Sequence, residues 1–384
     1  MELTDKEIER YGRHLLLPEI GQVGQLKLKS AKVLIVGVGG LGSPAAIYLS
    51  AAGVGTLGLV DYDRVEYPNL QRQVIHFTKD VKKSKVKSAK KKITQINPHV
   101  KVHLHEGPLN AQNALDIIKK YDLVIDGTDN FPSRYLINDA CIFLKKPDIF
   151  GAIHRFEGQC SVFGFEDGPC YRCLFQEPPA PGEIPSCAEA GVLGVLPGLI
   201  GLLQVNEAIK IICEIGQPLK GRLLMVDALT VQFREIQIKK DPNCALCGTK
   251  RTIHTLVEYA PICAELPASS AQSQPEAERM EISVKELKQI MDSRPKDFYL
   301  LDVRELKEWQ IAHIEGAVLK PFSTFKEDYQ DIPKEKKIYV HCKVGGRSMK
   351  VVHFLKSQGY SQCFNIKGGI DSWAKEIDHS MPTY

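Results

Sequence analysis

A doubly wound, mainly parallel α/β sheet followed by a second, smaller α/β domain is the fold class this sequence predicts, on three observations. Strand-like apolar runs alternate with helical stretches between residues 33 and 153. The stretch VLIVGVGGLGSPAAIYLSAAG carries one such strand into Gly37-Val38-Gly39-Gly40-Leu41-Gly42 and then into a small-residue helix. In a strand–turn–helix setting, a GxGxxG turn offers backbone amides and a helix N-terminus to phosphate. A second alternation begins at Ser283, after a stretch with little apolar periodicity.

A first helix is expected from Thr4, because Thr4 and Glu7 have capping-box spacing. Strands are expected at residues 33–36, 56–60, 100–104, 123–126 and 149–153, with 159–165 and 231–238 as antiparallel additions. The most apolar run, GVLGVLPGLIGLLQV from Gly191 to Val205, is short, glycine-rich and interrupted by Pro197. It reads as a buried core segment and not as a membrane span. The stretch PICAELPASSAQSQPEAER is rich in Pro, Ala, Ser and Gln and reads as a linker. Beyond it, Ser283 and Glu286 repeat the capping-box spacing, and FYLLDVR, KIYVHC and CFNIKGG supply further strands. The expected division is residues 1–262, a linker at 263–279, and 280–384.

The bulk numbers allow this. The chain has 384 residues, 43% hydrophobic and 25% charged, which is ordinary for a soluble globular protein. A net charge of +4 is mild and argues for neither nucleic-acid binding nor a membrane surface. The start, MELTDKEIER, lacks the apolar core of a signal peptide. Eleven cysteines without an export signal point to thiols, metal ligands and catalysis in a reducing cytoplasm.

The glycine turn alone does not choose a nucleotide. Asp61, closing the strand of LVDYD, sits where an acid can bond ribose hydroxyls, and nicotinamide and adenosine ligands both want that acid. The residues that follow discriminate. NLQRQ (residues 69–73) puts Arg72 in a polar loop, Lys85 lies in KKSKVKSA, and Asp129 and Asn130 follow another strand in VIDGTDN. An enzyme that attacks ATP at the α-phosphate needs cations on the departing pyrophosphate and a carboxylate to hold Mg²⁺. Arg72, Lys85 and Asp129 supply that set, and hydride transfer has no evident use for it. Most of the other lysines between Lys79 and Lys92 are expected on a solvated helix face.

In this order, GVGGLGSP, VDYDRVEYPNLQRQ, SKVKSA, INP and DGTDN resemble the ThiF/MoeB family of ubiquitin-activating-like adenylating enzymes. The resemblance spans residues 1–262. It implies that ATP adenylates the C-terminal glycine of a small ubiquitin-like sulfur-carrier protein with a Gly-Gly tail. By position it assigns Asp61 to ribose, Arg72 and Lys85 to phosphates, and Asp129 to magnesium. Gly37, Gly39, Gly40, Gly42, Asn69, Gln73 and Asn130 complete the implied nucleotide site. It further implies a homodimer in which Arg13, in RYGRH, reaches the other subunit's active site.

Cys170-Tyr-Arg-Cys173 and Cys244-Ala-Leu-Cys247 form two CxxC units, and four thiolates suit a tetrahedral structural Zn²⁺. The competing reading, a redox pair, normally follows a strand in a thioredoxin-like unit, which neither site resembles.

Cys342 lies in YVHCKVGGRSMK, a strand, loop and helix with four residues between Cys342 and Arg347. The glycines let backbone amides turn inward as an anion-binding nest, which with Arg347 and the helix dipole favours a thiolate or persulfide. With LLDVRE, HIEGAV and IKGGIDSW, the stretch resembles a rhodanese sulfurtransferase domain over residues 280–384. Related phosphatases use a loop one residue longer, so the short loop favours sulfur. Cys187, in EPPAPGEIPSCAEAGVLG, lies in a Pro- and Gly-rich crossover segment. The first family's resemblance implies that a cysteine there can join the carrier covalently or resolve a disulfide. A non-reactive loop thiol is the lesser alternative, kept open because loop exposure alone does not depress a thiol pKa. Cys141, Cys160, Cys213 and Cys363 sit in apolar segments and read as core residues. His103 and His105 share one strand face and read as edge-strand surface groups.

The expected enzyme activates a carboxylate and delivers sulfur to it from a Cys342 persulfide, with a cysteine desulfurase or thiosulfate as sulfur source. The thiocarboxylate so formed could feed thiamine, molybdopterin or tRNA thiolation. Three alternatives remain at this stage: activation of a ubiquitin-like modifier for protein conjugation through a Cys187 thioester, a nicotinamide oxidoreductase, and a regulatory binding protein whose rhodanese-like domain only docks partners, a reading weakened by Cys342 and Arg347.

Overall fold

The computed structural model describes residues 2–179, 191–259, 280–293 and 298–384. The chain divides into two compact units, Met1–Ile262 and Cys263–Tyr384. The expected linker, with Cys263, and the crossover segment carrying Cys187 fall outside the described residues.

The first unit is built on eight strands. They are β1 (Lys32–Val36), β2 (Thr56–Val60), β3 (Lys101–His105), β4 (Leu123–Asp126), β5 (Asp148–His154), β6 (Glu157–Phe163), β7 (Arg222–Asp227) and β8 (Gln232–Gln237). Their order is β3-β2-β1-β4-β5-β6-β7-β8. From β3 to β5 every pairing is parallel, and from β5 to β8 every pairing is antiparallel. Parallel strands are covered on both faces, so Val33, Leu34, Ile35 and Val36 are all buried. Val33 and Ile35 pack among residues of the helices Gly42–Ala51, Lys85–Ile96 and Leu196–Cys213, while Leu34 and Val36 face Ala114–Ile118 and Phe131–Leu144. The strand order reverses between β1 and β4, which opens a crevice beyond their carboxyl ends.

Thr4 caps the first helix, Asp5–Leu15, by the expected reciprocal bonds with Glu7. Strand β7 escapes sequence reading because its apolar run, Leu223 to Val226, does not alternate and fits a buried helix as well as a strand. β8 is exposed at every position along its length, where the sequence alone suggests only an antiparallel addition.

The apolar run around Pro197 opens the helix Leu196–Cys213, the one helix among the described residues long and apolar enough to cross a membrane. Half of that span is buried within this unit. At Gly201 a Cβ would lie 2.6 Å from the Leu41 carbonyl oxygen, so the missing side chain lets this helix close on the glycine turn. Buried Gln204 donates from Nε2 to the carbonyls of Asp126 (2.7 Å) and Ile149 (2.8 Å), tying the helix to β4 and β5.

The second unit has five strands: β9 (Glu281–Ile282), β10 (Phe298–Asp302), β11 (Val318–Leu319), β12 (Lys337–His341) and β13 (Cys363–Ile366). They pair in parallel in the order β11-β10-β12-β13-β9. Central β12 is buried from Ile338 to His341 and delivers Cys342 at its carboxyl end. The helix Gly346–Ser357 then packs back on β12 and β13, with Val351, Val352 and Leu355 in the core.

Gln204→Leu leaves two buried carbonyls without their donor, which costs about 1–3 kcal/mol for each group orphaned. Trp309 and Trp373 both belong to the second unit. Gln204→Leu is therefore expected to lower the denaturation midpoint seen by circular dichroism while the tryptophan-fluorescence transition stays in place. Equal shifts of the two signals would contradict this account.

Candidate active sites and metal centre

The turn after β1 is shaped by backbone crowding. Gly37 has φ +87°, and a Cβ there would lie 2.6 Å from the Gly127 carbonyl oxygen, just beyond β4. At Gly42 a Cβ would meet the Gly37 carbonyl oxygen at 1.9 Å. Only glycine lets the two loops cross at the mouth of the crevice. Gly39 and Gly40 bring the turn against the next loop: their Cβ positions lie 3.5 Å from Gln73 Nε2 and 3.7 Å from Arg72 Cγ.

Side chains hold the turn from two sides. Asp61 Oδ2 accepts from the Val38 amide at 2.8 Å, and its Oδ1 accepts from Asp63 N at 2.8 Å. Burial pushes the Asp61 carboxyl up, opposed by the Lys85 charge and these two amides. His76, which sequence reasoning missed, holds the other end of Val38: Nε2 lies 3.0 Å from the Val38 carbonyl oxygen, and Nδ1 lies 3.0 Å from Ser88 Oγ. Buried Lys92 donates to Ser88 Oγ at 3.2 Å and pairs with Asp80. No spacing rule links a lone histidine to a loop so far upstream; the contact exists only in the fold.

Around this turn the structure collects the other expected residues. Asn69 Oδ1 accepts from Glu66 N (3.0 Å), and the Asn69 carbonyl takes the amides of Arg72 (3.1 Å) and Gln73 (2.9 Å), which sets the NLQRQ turn. Arg72 is half-buried and donates to the Pro68 carbonyl at 3.1 Å. Gln73 is buried, and its Oε1 finds no partner among the described residues. Lys85 is also buried and pairs with Asp63 at 2.8 Å. Asp129 is exposed, and Asn130 caps the helix Phe131–Leu144 by accepting from Ser133 N at 3.0 Å. Burial of part of Tyr62 and then the charges of Asp63, Asp129 and Asp61 push its hydroxyl up, while Lys85 opposes them. Beneath the Asp129 loop, Asp126 and Asp148 are buried beside Arg134, and burial pushes both carboxyls up. Arg13 lies exposed in the last turn of the first helix, and among the described residues no side chain of the crevice bonds it.

The four cysteines of the two CxxC units come together. The sulfurs of Cys170, Cys173, Cys244 and Cys247 all lie within 4.8 Å of one another. Three of the separations are 3.9, 3.6 and 3.3 Å. Thiolates about 2.3 Å from one tetrahedral ion stand about 3.8 Å apart, so the cluster fits a four-coordinate metal with no open position. Arg172, between Cys170 and Cys173, forms a buried bidentate pair with Asp139 at 2.9 and 2.8 Å, which anchors the turn to the helix Phe131–Leu144.

In the second unit, buried Cys342 Sγ accepts from the Gly345 amide at 3.1 Å and lies 3.3 Å from Ser348 Oγ. Gly345, at φ +106°, turns the loop into the helix. Gly369 supports it from below, since a Cβ there would strike the Cys342 carbonyl oxygen at 2.3 Å. Arg347 makes a bidentate pair with Glu308 at 2.6 and 2.7 Å, a partner that sequence reasoning did not identify. Burial raises the Glu308 carboxyl and Arg347 lowers it, with a net result below the ordinary glutamate value. Tyr384 accepts from Arg304 (2.7 Å), donates to Glu308 (3.2 Å), and lies under the Lys343 ammonium at 4.5 Å. Cys141, Cys160, Cys213 and Cys363 are buried, and burial pushes each thiol up. His105 bonds Tyr121 at 2.8 Å on edge strand β3, while His103 is exposed.

Residues 11–246 match the ThiF family, and residues 283–376 match the rhodanese-like domain. The chain is 45% identical over 389 residues to a probable adenylyltransferase/sulfurtransferase MoeZ of Mycobacterium tuberculosis, covering 100% of this chain and 96% of that protein. It is 40% identical to the adenylyltransferase and sulfurtransferase MOCS3 of Drosophila yakuba, covering 100% of this chain and 86% of that one. A sulfur carrier protein adenylyltransferase of Thermus thermophilus is 50% identical, over 68% of this chain and 99% of its own length. Among solved structures, E. coli MccB with ATP aligns with a TM-score of 0.56 at 22% identity, over 64% of this chain and 75% of that one. This last likeness concerns the fold.

Burial draws the His76 imidazole from 6.5 down to about 4, with Lys85 and Lys92 acting in the same direction and the Val38 carbonyl opposing. An unfolded chain takes up this proton near 6.5, and the folded chain resists it. The stabilisation is complete above 6.5 and drains away as pH falls towards 4. The circular-dichroism melting midpoint is expected to drop between pH 6.5 and about 5 more steeply than in His76→Gln. Parallel profiles for the two proteins would mean that His76 is not held neutral.

Proposed function

We infer from these matches that this chain, which belongs to the ThiF family and carries a rhodanese-like domain, is an adenylyltransferase and sulfurtransferase acting on a ubiquitin-like sulfur-carrier protein. One observation carries the reading. Relatives named for both activities match the chain along its whole length, and each unit holds a separate set of reactive groups, as described above. The protein-conjugation and nicotinamide alternatives lack comparable support.

The proposed first step joins the carrier's terminal carboxylate to the α-phosphorus of ATP and expels pyrophosphate. Arg72 and Lys85 draw negative charge from the departing phosphates, and Asp61 takes the ribose hydroxyls. Asp129 is the proposed magnesium ligand, and Gly37, Gly39, Gly40 and Gly42 let the backbone approach the phosphates closely. Magnesium, when bound, neutralises charge on the phosphate chain. Asn69, Gln73 and Asn130 keep their surrounding loops in register, and Arg13 is proposed to serve the partner site of a homodimer.

In the second step a Cys342 persulfide attacks the acyl-adenylate. A carbon–sulfur bond forms, AMP leaves, and the carrier is joined to Cys342 as an acyl-disulfide. A thiolate, proposed as Cys187 or an external thiol, attacks the Cys342 sulfur of that disulfide and releases the carrier thiocarboxylate. The resulting enzyme disulfide is reset by an external thiol reductant. The Gly345 amide stabilises anionic sulfur on Cys342, the Ser348 hydroxyl beside it donates to Asn365 Oδ1 at 2.6 Å, and Arg347, held by Glu308, adds positive charge at the loop. We assign zinc to the four-cysteine cluster, where it would staple the chain after Cys244 to the turn at Cys170 without entering the chemistry. A cysteine desulfurase is the proposed source of sulfur, and the cytoplasm, where thiols stay reduced, is the proposed location.

Arg72→Ala or Asp129→Ala is expected to reduce carrier-dependent ATP–pyrophosphate exchange by about 10²-fold or more, leaving sulfur loading on Cys342 intact. Cys342→Ala should do the reverse. Exchange at the wild-type rate in both pocket variants would remove the adenylation site from this crevice. Cys187→Ala should accumulate the carrier–enzyme acyl-disulfide until reductant is added, and undiminished thiocarboxylate release without reductant would make Cys187 a bystander.

Cys170→Ser should release about one zinc per chain, measured by elemental analysis, and destabilise the first unit, because structural zinc contributes directly to folding. A fully folded wild-type protein that stays metal-free when zinc is supplied would contradict the assignment.

A further inference from the structure

Among the described residues, side chains grip both backbone groups of Val38, its N–H in the Gly37–Val38 peptide and its carbonyl in the Val38–Gly39 peptide. Asp61 takes the Val38 amide at 2.8 Å, and His76 Nε2 reaches the Val38 carbonyl at 3.0 Å. A carbonyl can only accept, so Nε2 carries the proton and donates. The neutral ring then offers Nδ1 as an acceptor for the Ser88 hydroxyl at 3.0 Å. Ser88 in turn accepts from Lys92, whose ammonium is paired with Asp80. The chain of donors runs in one direction, and His76 is buried at its end.

A trans peptide is planar, and its carbonyl and N–H point opposite ways. Fixing the Val38 carbonyl towards His76 therefore aims the Gly39 N–H away from His76. No described residue accepts that N–H. Without the imidazole, little prevents the peptide from turning over, because glycine adopts either sign of φ at small cost. We propose that His76 is a positioning residue for phosphate binding, one that fixes the Gly39 N–H as a donor to the phosphate chain of ATP. This rests on the adenylation reading of the crevice.

The test is calorimetric titration of the full chain with ATP and, separately, with adenosine, both in the presence of Mg²⁺. His76→Leu keeps bulk without a donor, and His76→Gln restores an amide donor. His76→Leu is expected to weaken ATP by about tenfold, the loss of one hydrogen bond to a charged group. Adenosine should bind within about twofold of wild type, because it lacks the phosphates. His76→Gln should recover most of the ATP affinity, and the KM for ATP in pyrophosphate exchange should follow the same order. Equal losses for ATP and adenosine would overturn the proposal, since His76 would then only maintain the pocket's shape. Unchanged ATP affinity in a folded His76→Leu protein would overturn it as well. If His76→Leu does not fold, Ser88→Ala decides: a smaller loss confined to ATP supports the proposal, and no loss or an equal loss for both ligands defeats it. Wild-type protein that binds neither ligand would instead refute the adenylation reading.

Discussion

Two backbone loops cross at Gly37 and Gly127 with no room for a side chain on either, and the first unit is arranged around that crossing. A Cβ on Gly37 would lie 2.6 Å from a carbonyl oxygen, and one on Gly42 would lie 1.9 Å from another. The crossing brings the mouths of β1 and β4 together where the strand order reverses. From β2 it draws in Asp61, and from the NLQRQ turn it draws in Arg72 and Gln73. Gly201 and Gln204 of the helix Leu196–Cys213 close the arrangement from the far side. Asp61 and His76 reach the turn with their side chains and hold its backbone groups at Val38, so the geometry depends on where those two side chains are placed.

Buried and half-buried charge is used here for placement, with Asp63 the one exposed partner. Lys85 is paired with Asp63, Lys92 with Asp80, Arg172 with Asp139 and Arg347 with Glu308. Taking such ions out of water costs about as much as their attraction returns, so these pairs add little net stability. They do fix where a cation or a turn sits. Arg172 sets the first CxxC turn, Lys92 orders Ser88 behind His76, and Glu308 orients Arg347 beside the sulfur loop. In the crevice, the Asp63 pair fixes Lys85, while Arg72 is held by the Pro68 carbonyl.

Environment separates the cysteines into three chemistries. Cys363 is buried against apolar side chains and pushed up to about 12, so it stays a thiol. Cys170, Cys173, Cys244 and Cys247 share one small volume and suit a shared cation. Cys342 is equally buried, but an amide donor at 3.1 Å and a hydroxyl at 3.3 Å face its sulfur. Burial alone does not set these sulfurs apart; the groups that face them do.

The sequence by itself determined the parts whose signal is local. GVGGLGSP follows an apolar strand, so the glycine turn, its helix and the parallel strands on either side were legible from spacing. The paired CxxC units announced a metal cluster because two sulfurs per turn is a short-range pattern, and the Cys342 loop was legible for the same reason. Tertiary structure alone decided what depends on distant residues meeting. His76 on Val38, Gln204 under Asp126 and Ile149, and Glu308 on Arg347 join segments with no sequence relation to one another. Strand β7 joined the sheet although its unbroken apolar run specifies no period. The physical reason is common to all four. Hydrogen-bond caps, turns and alternation are set within a few residues, whereas the partner of a buried polar group is chosen by which chain segment the packed core brings alongside it.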